Sequence, residues 1–310
     1  MNMQSNVMPE AIAQSQVVAP VAISATRRMF WSVSRELWEY RSIYIAPLAV
    51  AVLFLFGFMI SNIHLPERMR AASALGAMEQ HKLMEQPFDY AATAIMGATF
   101  LVGIFYCLEA LHGERRDRSI LFWKSLPVSD LTTVLSKACI PLVVLPLLTF
   151  VITIATQWLM LLFSSAVLLG SGMSPAPLWT HLSLFQMWLM LLYHLVTIHS
   201  LWYAPIFCWL LLVSAWARRA AFLWAALPLL AIGVTEKIAF NTSYFATMLL
   251  NRIGGGAEGA PFPSSSMSMD PLMLLTPGKF LLSPGLWIGL GLAAIFLAAA
   301  VRLRRYRGPI

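Results

Sequence analysis

Apolar residues along this chain gather into six long runs separated by short polar breaks. Positions 43–62 carry no charge, and as a helix they would cross the roughly 30 Å of bilayer hydrocarbon. Runs at 91–108 (ending at Glu109), 138–171, 182–217, 220–235 and 282–301 follow. The third is long enough to project beyond the bilayer or to bend at Pro141 and Pro146. The fifth is short for a full crossing and is set off from the fourth by Arg218 and Arg219. The last contains Gly285, Gly289 and Gly291, small residues that let helices approach closely. The pattern predicts an all-α integral membrane domain of six transmembrane helices over 43–301.

Ahead of the first run, Phe30, Trp31, Val33, Leu37 and Trp38 recur at near-helical spacing among Arg27, Arg28, Arg35, Glu36, Glu39 and Arg41. Residues 24–42 therefore predict an amphipathic helix lying in the headgroup plane, the competing reading being a helix packed on a partner. Residues 1–23 are rich in Gln, Ser, Ala and Val and carry no Lys or Arg. They lack the basic n-region of a signal peptide and predict a disordered tail. Between spans, 63–90 reads as a polar loop of mixed charge. The loop 236–281 is less simple: 241–251 and 267–276 are apolar but too short to cross, which predicts re-entrant or interfacial helices at the outer rim.

Composition agrees with the pattern, at 59% hydrophobic, 11% charged and a mean hydropathy of +0.73. A net charge of +7 could point to nucleic acid, but the positions of the bases argue otherwise. With both termini cytoplasmic, one side holds Arg27, Arg28, Arg35, Arg41, Arg115, Arg116, Arg118, Lys124, Lys137, Arg218, Arg219, Arg302, Arg304, Arg305 and Arg307. The other holds only Arg68, Arg70, Lys82, Lys237, Arg252 and Lys279. This is the positive-inside distribution of a multi-pass protein, with 302–310 as a basic cytoplasmic tail, and it needs no nucleic-acid partner. Cys107, Cys139 and Cys208 lie in or beside apolar runs without metal-ligand spacing and predict packing residues.

Candidate chemistry is sparse. The chain has no phosphate-binding Gly-x-x-x-x-Gly-Lys-Ser/Thr loop, no His-Glu-x-x-His, no Gly-x-Ser-x-Gly and no Cys-x-x-Cys. His194 and His199, five residues apart, would diverge by about 140° on an α-helix, a poor arrangement for a shared metal. With Gln157 they are candidates for interhelical hydrogen bonding or a cavity lining, and no catalytic or metal site is expected. Glu109 is placed to pair with Arg115 or Arg116 or to reach water. The one sizeable charged interruption is 112–137. It packs Glu114, Arg115, Arg116, Asp117 and Arg118 together, continues as an amphipathic segment over 119–126, breaks at Pro127 and restarts at Ser129 and Asp130.

That interruption resembles one in the type-2 ABC transporter permeases. The resemblance rests on Glu114-Arg115-Arg116-Asp117-Arg118-Ser119 and Ser125-Leu126-Pro127-Val128-Ser129, set in a similar plan from about Arg27 to Arg307. Two departures stand out: Arg118-Ser119 replaces a frequent Gly-Thr, and Phe122-Trp123-Lys124 is bulkier than the usual Leu-rich helix. The resemblance implies the membrane subunit of an exporter in a plasma membrane (the inner membrane of a bacterium), not itself an enzyme and binding no cofactor. It would work as two permease copies with two copies of a separate cytoplasmic ABC ATPase, which binds ATP and Mg. The loop would be the coupling element, with Phe122, Trp123 and Leu126 as anchors and Glu114, Arg115, Arg116, Asp117 and Arg118 orienting it. The Trp-, Met- and Tyr-rich interior suits an amphipathic or lipid-like cargo moved by alternating access. Three alternatives remain open here: a lipid-modifying membrane enzyme, an ATPase-linked anchor or sensor without transport, and a loop that merely lies on anionic lipid.

Overall fold

The computed structural model describes residues 24–72, 76–125, 128–254 and 277–307, and every regular element among them is helical. Helix α1 (Ala25–Glu39) starts where the Ser24 hydroxyl accepts the Arg27 N–H at 3.3 Å, an N-cap that satisfies one of the orphan donors of the first turn. Then come α2 (Ser42–Asn62), α3 (Leu65–Ala72) and α4 (Ala77–Ala110). The charged loop folds into two short helices, α5 (His112–Arg116) and α6 (Ile120–Ser125). Next, α7 (Asp130–Cys139) runs through a π-helical turn at Ile140–Val144 into α8 (Leu145–Gly170). After α9 (Ala176–His181), α10 (Leu184–His194) passes through a second π-helical stretch, Leu195–Trp202, into α11 (Ala204–Trp216). The chain closes with α12 (Ala221–Phe240), α13 (Tyr244–Ile253), α14 (Pro277–Leu282) and α15 (Pro284–Tyr306).

Among the described residues, six helical stretches are long and apolar enough to span a bilayer: Ser42–Asn62, Leu83–Arg116, Asp130–Gly170, Leu184–Trp202, Ala221–Phe240 and Pro284–Tyr306. The chain is an all-helical, multi-pass membrane protein. Several boundaries differ from the hydropathy pattern. The stretch 63–90, read as a polar loop, is mostly helix, because α4 extends 34 residues and carries its polar first turns beyond the apolar core. The fifth run, read as short, is a 20-residue helix that continues through Glu236 and Lys237 to the left-handed Asn241 (φ 51°). The apolar segment expected at 241–251 is α13, whereas 267–276 and the tail 1–23 lie outside the described residues.

Both π-helical stretches occur beside prolines. Pro141 has no N–H to donate, and in an α-helix its ring would press on the carbonyl four residues back, so the wider turn relieves that clash. Pro205 follows the second stretch, which ends with Tyr203 N–H donating to Ile198 O at 2.9 Å, five residues back. Helices α4 and α8 form the centre. Half of the α4 span is buried, against 11% of α12 and 17% of α2, which leave their apolar faces to lipid. Helix α11 packs along α15 through small residues, Ala204 and Cys208 against Ala293, and Ala215 near Ala300. Hydrogen bonds tie the apolar centre together: Thr149 Oγ1 to Thr99 Oγ1 at 2.9 Å, and Asn62 Nδ2 to Ser164 Oγ at 3.1 Å. The three cysteines are free thiols, two of them buried as packing residues.

Candidate functional site: a buried ion network under the charged loop

Helix α7 begins at Ser129, whose hydroxyl accepts the Thr132 N–H at 3.1 Å, with Asp130 in its first turn. Two turns further on, Lys137 is fully buried. Its ammonium donates to both Glu36 oxygens, at 2.9 and 3.0 Å, and lies 3.1 Å from Glu114 Oε1. Glu36 stands on the inward side of α1 among Val33, Leu37 and Tyr40, which pack on the core. The Tyr106 hydroxyl of α4 donates to Glu36 Oε2 at 2.9 Å. Arg35 Nη2 reaches Glu36 Oε1 at 2.5 Å and Glu114 Oε1 at 3.2 Å. From the last turns of α15, Arg304 donates one nitrogen to Glu114 Oε2 and another, at 3.2 Å, to Asp130 Oδ1. Glu36, Glu114 and Asp130 thus meet Arg35, Lys137 and Arg304 in one network joining α1, α5, α7 and α15, with Glu39 at its edge 3.7 Å from Arg35. Burial opposes the charge on Arg35, but Glu36, Glu114 and Glu39 outweigh it and hold the guanidinium above its ordinary value. The Glu39 carboxyl is pushed up by its own partial burial and then by the negative charge of Glu36.

The loop has an inner and an outer face. Arg115 is buried and donates to the carbonyls of Ala215 (2.8 Å) and Ala217 (3.1 Å), which end α11. The Ser214 hydroxyl accepts the backbone N–H groups of Leu111 (3.0 Å) and His112 (2.8 Å). Glu114 and Arg115 therefore make their contacts inside the chain and hold the loop from within. Outward stand Arg116, paired with Glu109 at 2.8 Å and Asp117 at 3.1 Å, then Asp117, Arg118 and Phe122. Trp123 is half-buried, with the Arg35 guanidinium 3.8 Å over its ring and Phe122 edge-on at 5.0 Å. Lys124 donates to the carbonyls of Arg305 and Arg307. Leu126 lies outside the described residues.

His194 and His199 are not splayed apart. In a π-helical stretch the hydrogen bonds run from i to i+5, so residue i+5 returns to nearly the same face, and the two rings stand 5.5 Å apart. The expected divergence of about 140° presumed an α-helix throughout. His199 packs edge-on against Phe100 and Tyr203, and its Nδ1 is buried without a hydrogen-bond partner among the described residues. Among the described residues, no group of three His, Cys, Asp or Glu side chains could hold a metal. Gln157 bridges three helices: its amide donates to Phe88 O at 3.2 Å, and its oxygen accepts Trp188 Nε1 at 2.7 Å.

Sequence reasoning missed Arg35, Glu36, Tyr106, Asp130, Lys137 and Arg304 as members of a common site. The readable signal was Glu36, an acid in the stripe of Val33, Leu37 and Tyr40 that α1 turns inward, together with Lys137 at the mouth of an apolar run. No protein-family model matches the chain, and no curated protein or solved structure matches it.

Proposed function

We propose that this chain is the membrane-spanning subunit of an ABC exporter, driven through the loop 112–125 by a separate cytoplasmic ATPase and moving an amphipathic or lipid-like cargo. One observation carries the reading. The loop is fixed from within to α1, α7, α11 and α15 by Glu114 and Arg115, while Phe122 and the Arg116–Arg118 turn remain outside. A push on the outer face would be passed by charge-assisted contacts to four helices at once, without an intervening flexible joint. An exposed aromatic beside fixed charge is also the composition of an interface anchor.

The loop's position at the Lys/Arg-rich end of the bundle fits a cytoplasmic partner, and two permease copies would provide a cargo path between them. The test is co-purification with ATPase subunits expressed from the same host, followed by nucleotide hydrolysis and cargo flux in reconstituted vesicles. Phe122→Ala should leave membrane insertion intact and lower ATPase association and stimulated hydrolysis together. Unchanged association would sink the coupling role. Hydrolysis that responds to the variant without any cargo flux would favour a sensor or anchor over an exporter.

A further inference from the structure

At the end of the bundle away from the ion network, Arg252 on α13 reaches across to α15. Its Nη1 donates to Gly285 O at 2.9 Å, and its guanidinium lies 4.1 Å over the Trp202 ring. The other two nitrogens, Nε and Nη2, are buried and have no hydrogen-bond partner among the described residues. These two share one edge of the guanidinium, the fork that takes two oxygens of one anion side-on. Gly289 is what lets the group in, since a methyl built there would overlap the guanidinium. The backbone behind Arg252 is fixed as well: Trp202 Nε1 donates to Arg252 O at 3.1 Å, and Tyr203 OH to Ile253 O at 2.8 Å.

The neighbouring elements carry no counter-charge for this cation. Residues 184–216 and 277–307 hold no Asp or Glu, and the acid of 221–254 is Glu236. Glu236 is committed to the start of α13, accepting the N–H groups of Tyr244 (2.7 Å) and Phe245 (2.8 Å) and the Thr242 hydroxyl. Burial accordingly pulls the Arg252 guanidinium below its ordinary value with nothing to oppose it. The position along the bundle is that of a headgroup: Gly285 opens the last span, and the exposed Trp287 beside it is the kind of residue that marks a membrane interface.

We propose that Arg252 is a binding site for a phosphate anion, specifically the phosphodiester of an anionic lipid headgroup, and that α13 comes off α15 when it binds. In the arrangement described, the two-nitrogen edge is enclosed against Gly289, so a phosphate meets it only after the guanidinium leaves that cleft. The closed form keeps the Trp202 ring contact and one hydrogen bond; the bound form satisfies the remaining donors with a charged acceptor. This difference in contacts between the two forms is what lets the ligand shift the balance. The inference does not depend on the exporter reading.

The test uses the full-length chain in nanodiscs of phosphatidylcholine with or without phosphatidylglycerol, read by native mass spectrometry for retained lipid and by amide exchange across 244–253. Phosphatidylglycerol should be retained and should raise exchange in α13. Arg252→Gln should weaken that retention about tenfold, equivalent to about 1.4 kcal/mol, and abolish the exchange response, while Arg252→Lys keeps part of both. Gly289→Ala separates site from fold: its methyl expels the guanidinium, so exchange should be high without anionic lipid and retention at least equal to wild type. Inorganic phosphate alone should not reproduce the exchange response; if it does, a free anion is the ligand rather than a headgroup. Equal retention by wild type and Arg252→Gln overturns the site. Retention lost in Gly289→Ala overturns the release. Lipid binding that appears only after Glu258→Gln with Asp270→Asn assigns the guanidinium to a carboxylate of the chain, which also overturns the proposal.

Discussion

Lys137 and Arg252 are both cations drawn into a membrane protein, and they are treated in opposite ways. Lys137 is fully buried between two carboxylates from different helices, within a network where Arg35, Arg304 and Asp130 also pair. Arg252, about 25 Å away along α15 at its rise of about 1.5 Å per residue, is held by a ring and one carbonyl, with two donors unmet. A buried charge is tolerated when paired and is costly when not. A chain that supplies all the partners has built a joint. Among the described residues Arg252 has no such counter-charge, and the site proposed there takes its anion from outside the chain.

The comparison fails or sharpens on stability. Lys137→Met leaves Glu36 and Glu114 buried and deprived of a shared partner, which should cost about 3–5 kcal/mol in denaturant unfolding of the detergent-solubilised protein. Arg252→Met removes an unpaired charge together with one hydrogen bond and one ring contact. In purely zwitterionic lipid these losses and gains nearly cancel, and the change should stay within about 1 kcal/mol of wild type. An Arg252 variant as damaging as Lys137→Met would mean that the guanidinium has a partner of its own, and the contrast would collapse.

How much of this was legible in the sequence follows from the range of the interactions. The six spans could be read because hydropathy is local and the length needed to cross hydrocarbon is fixed. Ser129 and Asp130 were readable as a restart because capping is local too. The π-helical turns were not, since Pro141 and Pro205 announce a disturbance without saying whether the helix will break, kink or widen. That one ambiguity reversed the geometry of His194 and His199. The ion network was illegible for a different reason. Glu36, Glu114, Lys137 and Arg304 lie far apart in the chain, and a single sequence shows the charges without showing which ones meet. Hence the sequence shows Glu114 and Arg115 only as two of five adjacent charges, without showing that they face inward while Arg116, Asp117 and Arg118 face out.

The two faces of that loop give a smaller contrast of the same kind. Trp123 is engaged from within by Arg35, so Trp123→Ala should cost about 1–2 kcal/mol through the lost ring face and packing. Phe122, 60% exposed, stands edge-on to Trp123, and Phe122→Ala should move unfolding by no more than about 0.5 kcal/mol. Paired measurements of stability and ATPase association then separate the two roles. Equal stability losses would show that the aromatic pair is one structural unit and that Phe122 is not free for a partner.

A last contrast concerns the turn between the faces. Arg118 adopts φ 58°, in the left-handed region, where a Cβ is crowded and glycine is not. An arginine there costs backbone strain that its exposed side chain does nothing visible to recover, since no hydrogen bond or ion pair is made by its guanidinium among the described residues. Arg118→Gly should therefore raise stability by about 0.5–1 kcal/mol, the gain from removing the Cβ exceeding the entropy that glycine restores to the unfolded chain. If the side chain serves only the fold, ATPase association should follow stability upward or stay level. If the arginine is kept for an acidic surface on a partner, the same variant will be more stable and bind less, with the loss largest at low salt. Stability and association moving in opposite directions at one residue would place Arg118 with Phe122 on the outer face; a stability decrease would show that the arginine has an internal role that its geometry does not disclose.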